Sequence, residues 1–239
     1  NTVGYSSLAL SLGHFKSTTA SSNELSIEVS SDGITYNPLT YSRPTGTGTA
    51  NWILITPTGT IPSTANLRIR FTQTSTTAQF RIDDIVLTGI SGPTITLADN
   101  GTQIAANTVG QGATNHILSS FQVTVANAAA TLNAASFTTS GNYQAADIAA
   151  SGFTLWYSAT NTFGTATALG TLSSAAAGSG ETLTFTGLTQ SIPVGVGYFW
   201  VTANITSGAT VNNTINLNAI ANTNLTFASG TKSGSATAA

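Results

Sequence analysis

The feature that most constrains this chain is the strict alternation of apolar and polar residues in short blocks. Over residues 24–30, Leu25, Ile27 and Val29 fall on one side, while Glu24, Ser26, Glu28 and Ser30 fall on the other. A repeat of two residues is the pleat of a half-buried β-strand, whereas a helix would need a repeat near 3.6. Ser31-Asp32-Gly33 follows as a turn, and residues 34–39 read as the return arm of a hairpin. The same reading predicts strands over residues 8–12, 52–55, 67–71, 80–87, 94–97, 117–125, 153–157, 183–185, 198–205, 211–220 and 225–227. Short strands separated by Gly, Asn and Ser turns predict an all-β chain of two consecutive antiparallel β-sandwich domains, jelly-roll or immunoglobulin-like in kind. Residues 128–135 are Ala-rich, but their Asn and Thr content and short length place them in a loop or strand edge. Residues 147–150 are expected to form one helical turn.

Gly89-Ile90-Ser91-Gly92-Pro93 interrupts the pattern and is the expected linker between domains over 1–90 and 93–239. Charge divides at the same place. Ten of the fourteen formal charges precede it, and only Asp99, Asp147, Glu181 and Lys232 follow. Two domains with different surface chemistry account for that division.

Only 6% of the 239 residues are charged, against roughly 25% in ordinary soluble domains. Disorder does not explain this, because 41% of the chain is hydrophobic and the net charge is only −2. No stretch approaches the ~20 continuous apolar residues of a membrane-spanning helix. A weak net charge and scattered Lys and Arg exclude a basic nucleic-acid binder. Cysteine is absent, which removes disulfides and thiolate metal sites. A surface of Thr, Ser and Asn with no cysteine fits a bacterial extracellular or cell-surface protein. Asn1 opens directly into strand-like sequence, so the chain reads as a mature form or a fragment.

The first part carries Leu25 through Gly33, then Trp52, then Leu67-Arg68-Ile69-Arg70-Phe71, and closes on Phe80-Arg81-Ile82-Asp83-Asp84-Ile85. In this order it resembles the jelly-roll modules of secreted Bacteroidetes proteins, of the cleaved-adhesin and carbohydrate-binding types. Phe137 through Tyr143, Leu155-Trp156-Tyr157-Ser158, Gly180 through Phe185, Tyr198 through Ala203 and Phe227 through Gly234 resemble the β-sandwich found beside sialidase-type repeats in large surface proteins. The resemblance implies extracellular, accessory or adhesive roles, and it transfers no catalytic residue. A jelly roll of this kind starts one or two strands before Asn1. The expectation is therefore that sequence ahead of Asn1 or another chain completes an open edge, a template for strand addition.

A search for catalytic groups finds none. Glycoside hydrolysis needs two carboxylates about 5–10 Å apart, whereas Glu24 and Glu28 share a strand face at roughly 13 Å. Adjacent Asp83 and Asp84 point to opposite faces unless a bulge intervenes. They are candidate calcium ligands, since calcium takes carboxylate and carbonyl oxygens; the alternative is pairing with Arg68, Arg70 or Arg81 and capping of a turn. His14 and His116 have no metal-spaced partner and read as structural. Thr45-Gly46-Thr47-Gly48 lacks the lysine and strand-to-helix setting of a phosphate loop. Trp52, Trp156 and Trp200, with Tyr157 and Tyr198, are candidate sugar-stacking residues, although alternation along their strands sends at least half of them into the core. Asn100, Asn204, Asn212 and Asn224 open Asn-x-Ser/Thr triplets of the kind that Asn/Thr-rich sequence yields by chance.

The functional expectation is a non-catalytic structural or adhesive building block of an extracellular surface assembly. It would be a fibre subunit or adhesin segment that joins other copies through sandwich edges. Near-zero net charge permits dense self-association, and Asn212, Asn216 and Asn218 on one face suit contacts made by hydrogen bonds. The alternative is a carbohydrate-binding accessory module of a secreted polysaccharide-degrading enzyme. No catalytic constellation supports an enzyme.

Overall fold

The computed structural model describes residues 1–17, 25–42, 51–74, 76, 78–172 and 178–238. Glu24, Arg43 and the Thr45-to-Gly48 segment lie outside the described residues. The protein is all-β with antiparallel sheets. Its contacts divide it into two compact units, Asn1–Ser91 and Gly92–Ala239.

The first unit contains β1 (Tyr5–Lys16), β2 (Leu25–Ser30), β3 (Asn37–Leu39), β4 (Ile53–Ile55), β5 (Arg68–Gln73) and β6 (Phe80–Ser91). These form two three-stranded sheets, ordered β4-β1-β6 and β3-β2-β5. Leu10 and Leu12 of one sheet meet Ile27 and Val29 of the other in a core completed by Leu39, Ile55 and Ile61. The predicted alternation in β2 holds for Leu25, Ile27 and Val29, all buried. Ser30 departs from it and is buried too, because its hydroxyl accepts the Gly33 amide at 2.8 Å and donates to Asp32 Oδ1 at 2.9 Å.

The return arm starts at Asn37 rather than Ile34. Asp32 Oδ1 accepts the amides of both Ile34 and Thr35 at 2.8 Å, so those donors cannot join the ladder, and Ile34 is 86% exposed. Those two amides, then the Ser30 hydroxyl, hold the Asp32 carboxyl down at about 2.

The second unit contains β7 (Thr94–Asp99), β8 (His116–Ala126), β9 (Ala130–Gly141), β10 (Ile148–Ser158), β11 (Thr167–Leu172), β12 (Thr182–Phe185), β13 (Gln190–Ile192), β14 (Gly195–Ile205), β15 (Ile215–Leu217), β16 (Ile220–Ala221), β17 (Leu225–Phe227) and β18 (Thr231–Ala236). One sheet runs β11-β10-β14-β8-β7-β18-β16, with β18 parallel to β7 and every other pair antiparallel. The other is built on β9. Ala135 faces both Phe185 of β12 and Leu225 of β17, so these strands flank β9 on opposite sides. Phe121 and Phe199 stack at 5.1 Å with rings 5° from parallel, and Phe121 meets Phe137 of the facing sheet at 5.8 Å.

Three local expectations need correction. The Ala-rich segment 128–135 is neither loop nor edge for most of its length. From Ala130 it is the central strand β9, with Ala130 and Ala135 buried and strands paired along both of its edges. The helical turn is a 3-10 turn at Ala145–Asp147, and Ile148 already begins β10. The strand expected over 211–220 is two short pieces, β15 and β16, because the chain changes sheets between them: β15 pairs with β9 and β16 with β18. In the expected linker, β6 continues through Gly89 to Ser91, which leaves Gly92-Pro93 between strands.

Candidate functional site

β6 carries the most unusual surface of the first unit. It pairs with β1 along one edge, and no strand pairs with its other edge among the described residues. Ile85, Val86, Leu87 and Ile90 are all exposed, Ile90 at 61%. Successive residues of a strand point to opposite faces, so the run from Ile85 to Leu87 exposes apolar side chains on both. An apolar strand with an open row of N–H and C=O groups is a template for pairing.

A bulge sits within β6. Ser11 faces Val86 and Gly13 faces Asp83, so Asp84 and Ile85 together oppose Leu12 alone, and Asp84 has φ +49°. This is the irregularity under which the strict opposite-face rule for Asp83 and Asp84 lapses. Both are exposed, and Asp83 Oδ1 accepts the Asp84 amide at 2.9 Å. Among the described residues no group of three or more His, Cys, Asp or Glu side chains is gathered for a metal ion. A calcium ion takes about six to eight oxygens; backbone carbonyls and water would have to supply most of them. Arg70 pairs with Glu28 instead, Nε to Oε2 at 2.8 Å, and lies 3.8 Å over the Tyr36 ring. That contact lowers the Glu28 carboxyl and raises the Arg70 guanidinium from their ordinary values.

The three tryptophans have different settings. Trp52 is 48% exposed on the face of the β4-β1-β6 sheet that points away from the core. Its ring lies 5.6 Å from Phe15, with the Arg81 guanidinium 5.5 Å from the Phe15 ring on the other side. Trp156 and Trp200 are register partners on β10 and β14. Phe163 packs edge-on against both, at 5.4 and 5.8 Å. Trp156 is half-buried and donates from Nε1 to Thr202 Oγ1 at 2.9 Å. Trp200 is 4% exposed, which leaves almost none of its ring open. Tyr157 is buried against Phe199 at 5.2 Å, and burial raises its hydroxyl.

A cleft of about 590 Å³ opens in the second unit, with Ile104, Val109, Leu118 and Ile205 among its lining residues. Asp147, on the same lining, is a buried carboxylate whose acceptors are taken: Oδ2 by the Gln144 amide at 2.9 Å and Asn213 Nδ2 at 2.7 Å, Oδ1 by the Thr210 amide at 2.6 Å. The Gln144 and Thr210 amides are the leading reasons that its carboxyl sits at about 2. Burial lowers His116 in the same cleft, so its imidazole is biased toward neutral. The Tyr143 hydroxyl, raised by burial, lies 2.8 Å from Thr139 Oγ1 and 3.0 Å from the Gly178 carbonyl. Among the described residues no hydrogen bond joins His116 to Asp147, and no base is paired with a nucleophile there. His14 is fully buried between the Tyr41 and Phe80 rings at 5.6 and 5.5 Å.

The one sequence signal for Asp147 as organiser of the cleft is its capping-box spacing from Gln144; its partners Thr210 and Asn213 lie more than sixty residues away. The Trp52 setting had no signal in the sequence, because it depends on the register of β4 against β1.

No protein-family model matches the chain, and no curated protein matches it. A solved structure titled "Structure of allantoicase" aligns over 90% of this chain and 74% of that one, at 10% identity with a TM-score of 0.26. A likeness of that size carries no argument about function. The class of protein is therefore defined by its own geometry: an all-β chain of antiparallel sheets with, among the described residues, an edge strand that exposes apolar side chains.

Proposed function

We propose that this protein is a non-catalytic structural or adhesive building block of an extracellular bacterial surface assembly, joining other copies through open sheet edges. The observation that carries the reading is β6, a twelve-residue strand with one edge unpaired among the described residues and exposed Ile85, Val86, Leu87 and Ile90. Adding a strand there would satisfy its free backbone groups and bury those side chains together. The small net charge of −2 supports the reading, since little repulsion opposes close stacking of copies. The cleft lends no support to an enzyme, because its carboxylate is held ionised with its acceptors occupied.

The test is sedimentation and negative-stain electron microscopy of the full chain over a wide concentration range. Ordered oligomers or filaments are expected, and Ile90→Lys, which places a charge on the open strand, should disperse them. A wild-type chain that stays monomeric at millimolar concentration would sink the proposal.

A further inference from the structure

We propose that Trp52, together with Arg81 and Asp83, forms a binding site for a pyranose ring of a surface glycan. This site is separate from the β6 edge and gives the adhesive reading a ligand, without depending on how copies join.

The outer face of the β4-β1-β6 sheet is laid out by register. His14 faces Ile53, which places Trp52 beside Phe15, and Phe15 faces Arg81, so one row across the sheet runs Trp52, Phe15, Arg81. The next row is Leu54, Gly13, Asp83. Gly13 is the centre of the arrangement. A methyl group built there would lie 3.5 Å from Trp52 Cε3, so the indole leans over the bare glycine backbone toward β1. With Gly13 beneath it and Phe15 at its side, the indole is held against the sheet while 48% of the residue stays open to solvent.

A fixed aromatic face is what the C–H side of a pyranose ring packs against, because those carbons are apolar while the hydroxyls project from the rim. The hydroxyls need donors and acceptors within one ring's reach. Asp83 stands across β1 from Leu54, beside the glycine that the indole covers, and Arg81 stands across β1 from Trp52. Neighbouring strands lie about 4.8 Å apart and residues rise about 3.3 Å, so the Arg81 backbone is roughly 10 Å from that of Trp52 and the Asp83 backbone roughly 12 Å. Neither is in an ion pair among the described residues, and both are exposed. A planar guanidinium and a carboxylate together offer five donors and two acceptor oxygens.

Charge itself argues for a polar ligand. The chain has only fourteen charged residues in 239, yet two of opposite sign stand across β1 from its most exposed tryptophan. A dry contact with a second protein would have to desolvate both, at a cost. A sugar can hydrogen-bond to them and leave them wet.

The full chain is to be run by affinity electrophoresis through gels containing soluble β-glucan, xylan, galactomannan or alginate. At least one polysaccharide should retard it. Trp52→Ala should weaken the apparent Kd at least about tenfold, a loss the arithmetic of affinity makes easy to read. Trp52→Tyr, which keeps an aromatic face, should retain most of the binding. Arg81→Gln and Asp83→Asn should each weaken it about three- to tenfold, as the loss of one charged hydrogen-bonding partner does. Unchanged circular dichroism and urea midpoints show that the variants are folded.

The proposal is overturned if none of the four polysaccharides retards the wild type, or if Trp52→Ala is retarded as strongly as wild type. It is equally overturned if Trp52→Ala disperses oligomers with no glycan bound, since the face is then a contact between copies. Ile90→Lys separates the two readings: it should abolish assembly and leave retardation intact, so either can fail alone.

Discussion

Asp147 holds Asn213: the carboxylate Oδ2 accepts from the Asn213 side chain at 2.7 Å, across sixty-six residues of sequence. The same carboxylate takes the Thr210 amide at 2.6 Å, and its backbone carbonyl takes the Thr206 amide at 2.9 Å. One residue at the start of β10 therefore fixes the segment that leads to β15.

Replacing Asp147 with Ala leaves the Thr210 amide and the Asn213 side chain without their acceptor, and should cost about 2–3 kcal/mol, the scale of hydrogen bonds to a charged group. The pH dependence follows from the carboxyl being held at about 2, below its ordinary 3.8. Such a group stabilises the fold fully above the unfolded value and loses that contribution as pH falls from about 4 toward 2. Urea midpoints measured across that window should drop for wild type and be flatter for Asp147→Ala. A variant with the wild-type slope would show that Asp147 does not carry it.

Ala135 of β9 is buried, with strands paired along both edges at its level, Phe185 of β12 on one side and Leu225 of β17 on the other. Ala135→Leu should destabilise the protein by about 1–3 kcal/mol through overpacking, while Ala134→Leu, at a half-buried position, should cost less. Equal urea midpoints for the two variants would contradict this.

β9 also shows where the sequence stopped being readable. Strict alternation made β2 legible, because Leu25, Ile27 and Val29 all turn to one core. In β9 the alternation slips. The pairing shifts between Thr226 and Phe227, leaving Asn133 as the unmatched residue, so Leu132 and Ala135 are both buried though three positions apart. A period-two scan reads such a slip as loop. The β6 bulge is equally silent, since only the pairing with β1 puts Asp84 and Ile85 opposite one residue. Asp32 did announce its turn, but not that its carboxylate would take two amides from the return arm. The candidate surfaces were legible as residue types and not as places. Trp52, Trp156 and Trp200 look alike in sequence; packing alone leaves Trp52 open and covers Trp200.

Gly141 should tolerate no side chain. Its φ of +111° lies outside the regions open to other residues, and an added methyl would collide with the Thr214 backbone carbonyl. Gly187 also has a left-handed φ, +69°, but nothing lies within 4 Å of such a methyl. Gly187→Ala should then cost only the backbone term, about 1–2 kcal/mol. Gly141→Ala should cost that and the displacement of a backbone segment, at least about 3 kcal/mol in all. The difference is read from paired urea melts, and the reverse order would refute the account.

His116 gives a second pH signature, at a different place on the scale. Burial lowers its pKa in the folded protein from the ordinary 6.5, while Asp147, held ionised, and Tyr143 line the same cleft. A group whose folded pKa is depressed takes its proton more readily when the chain is unfolded, so protonation favours unfolding. Stability should hold steady above neutral pH and begin to fall once the pH drops below about 6.5, levelling again beneath the folded value. His116→Gln removes the titrating ring and should abolish this step below pH 6.5, leaving the separate acid loss below pH 4. Thermal melts at half-unit pH intervals resolve the two. A step that survives in His116→Gln would assign it to another group.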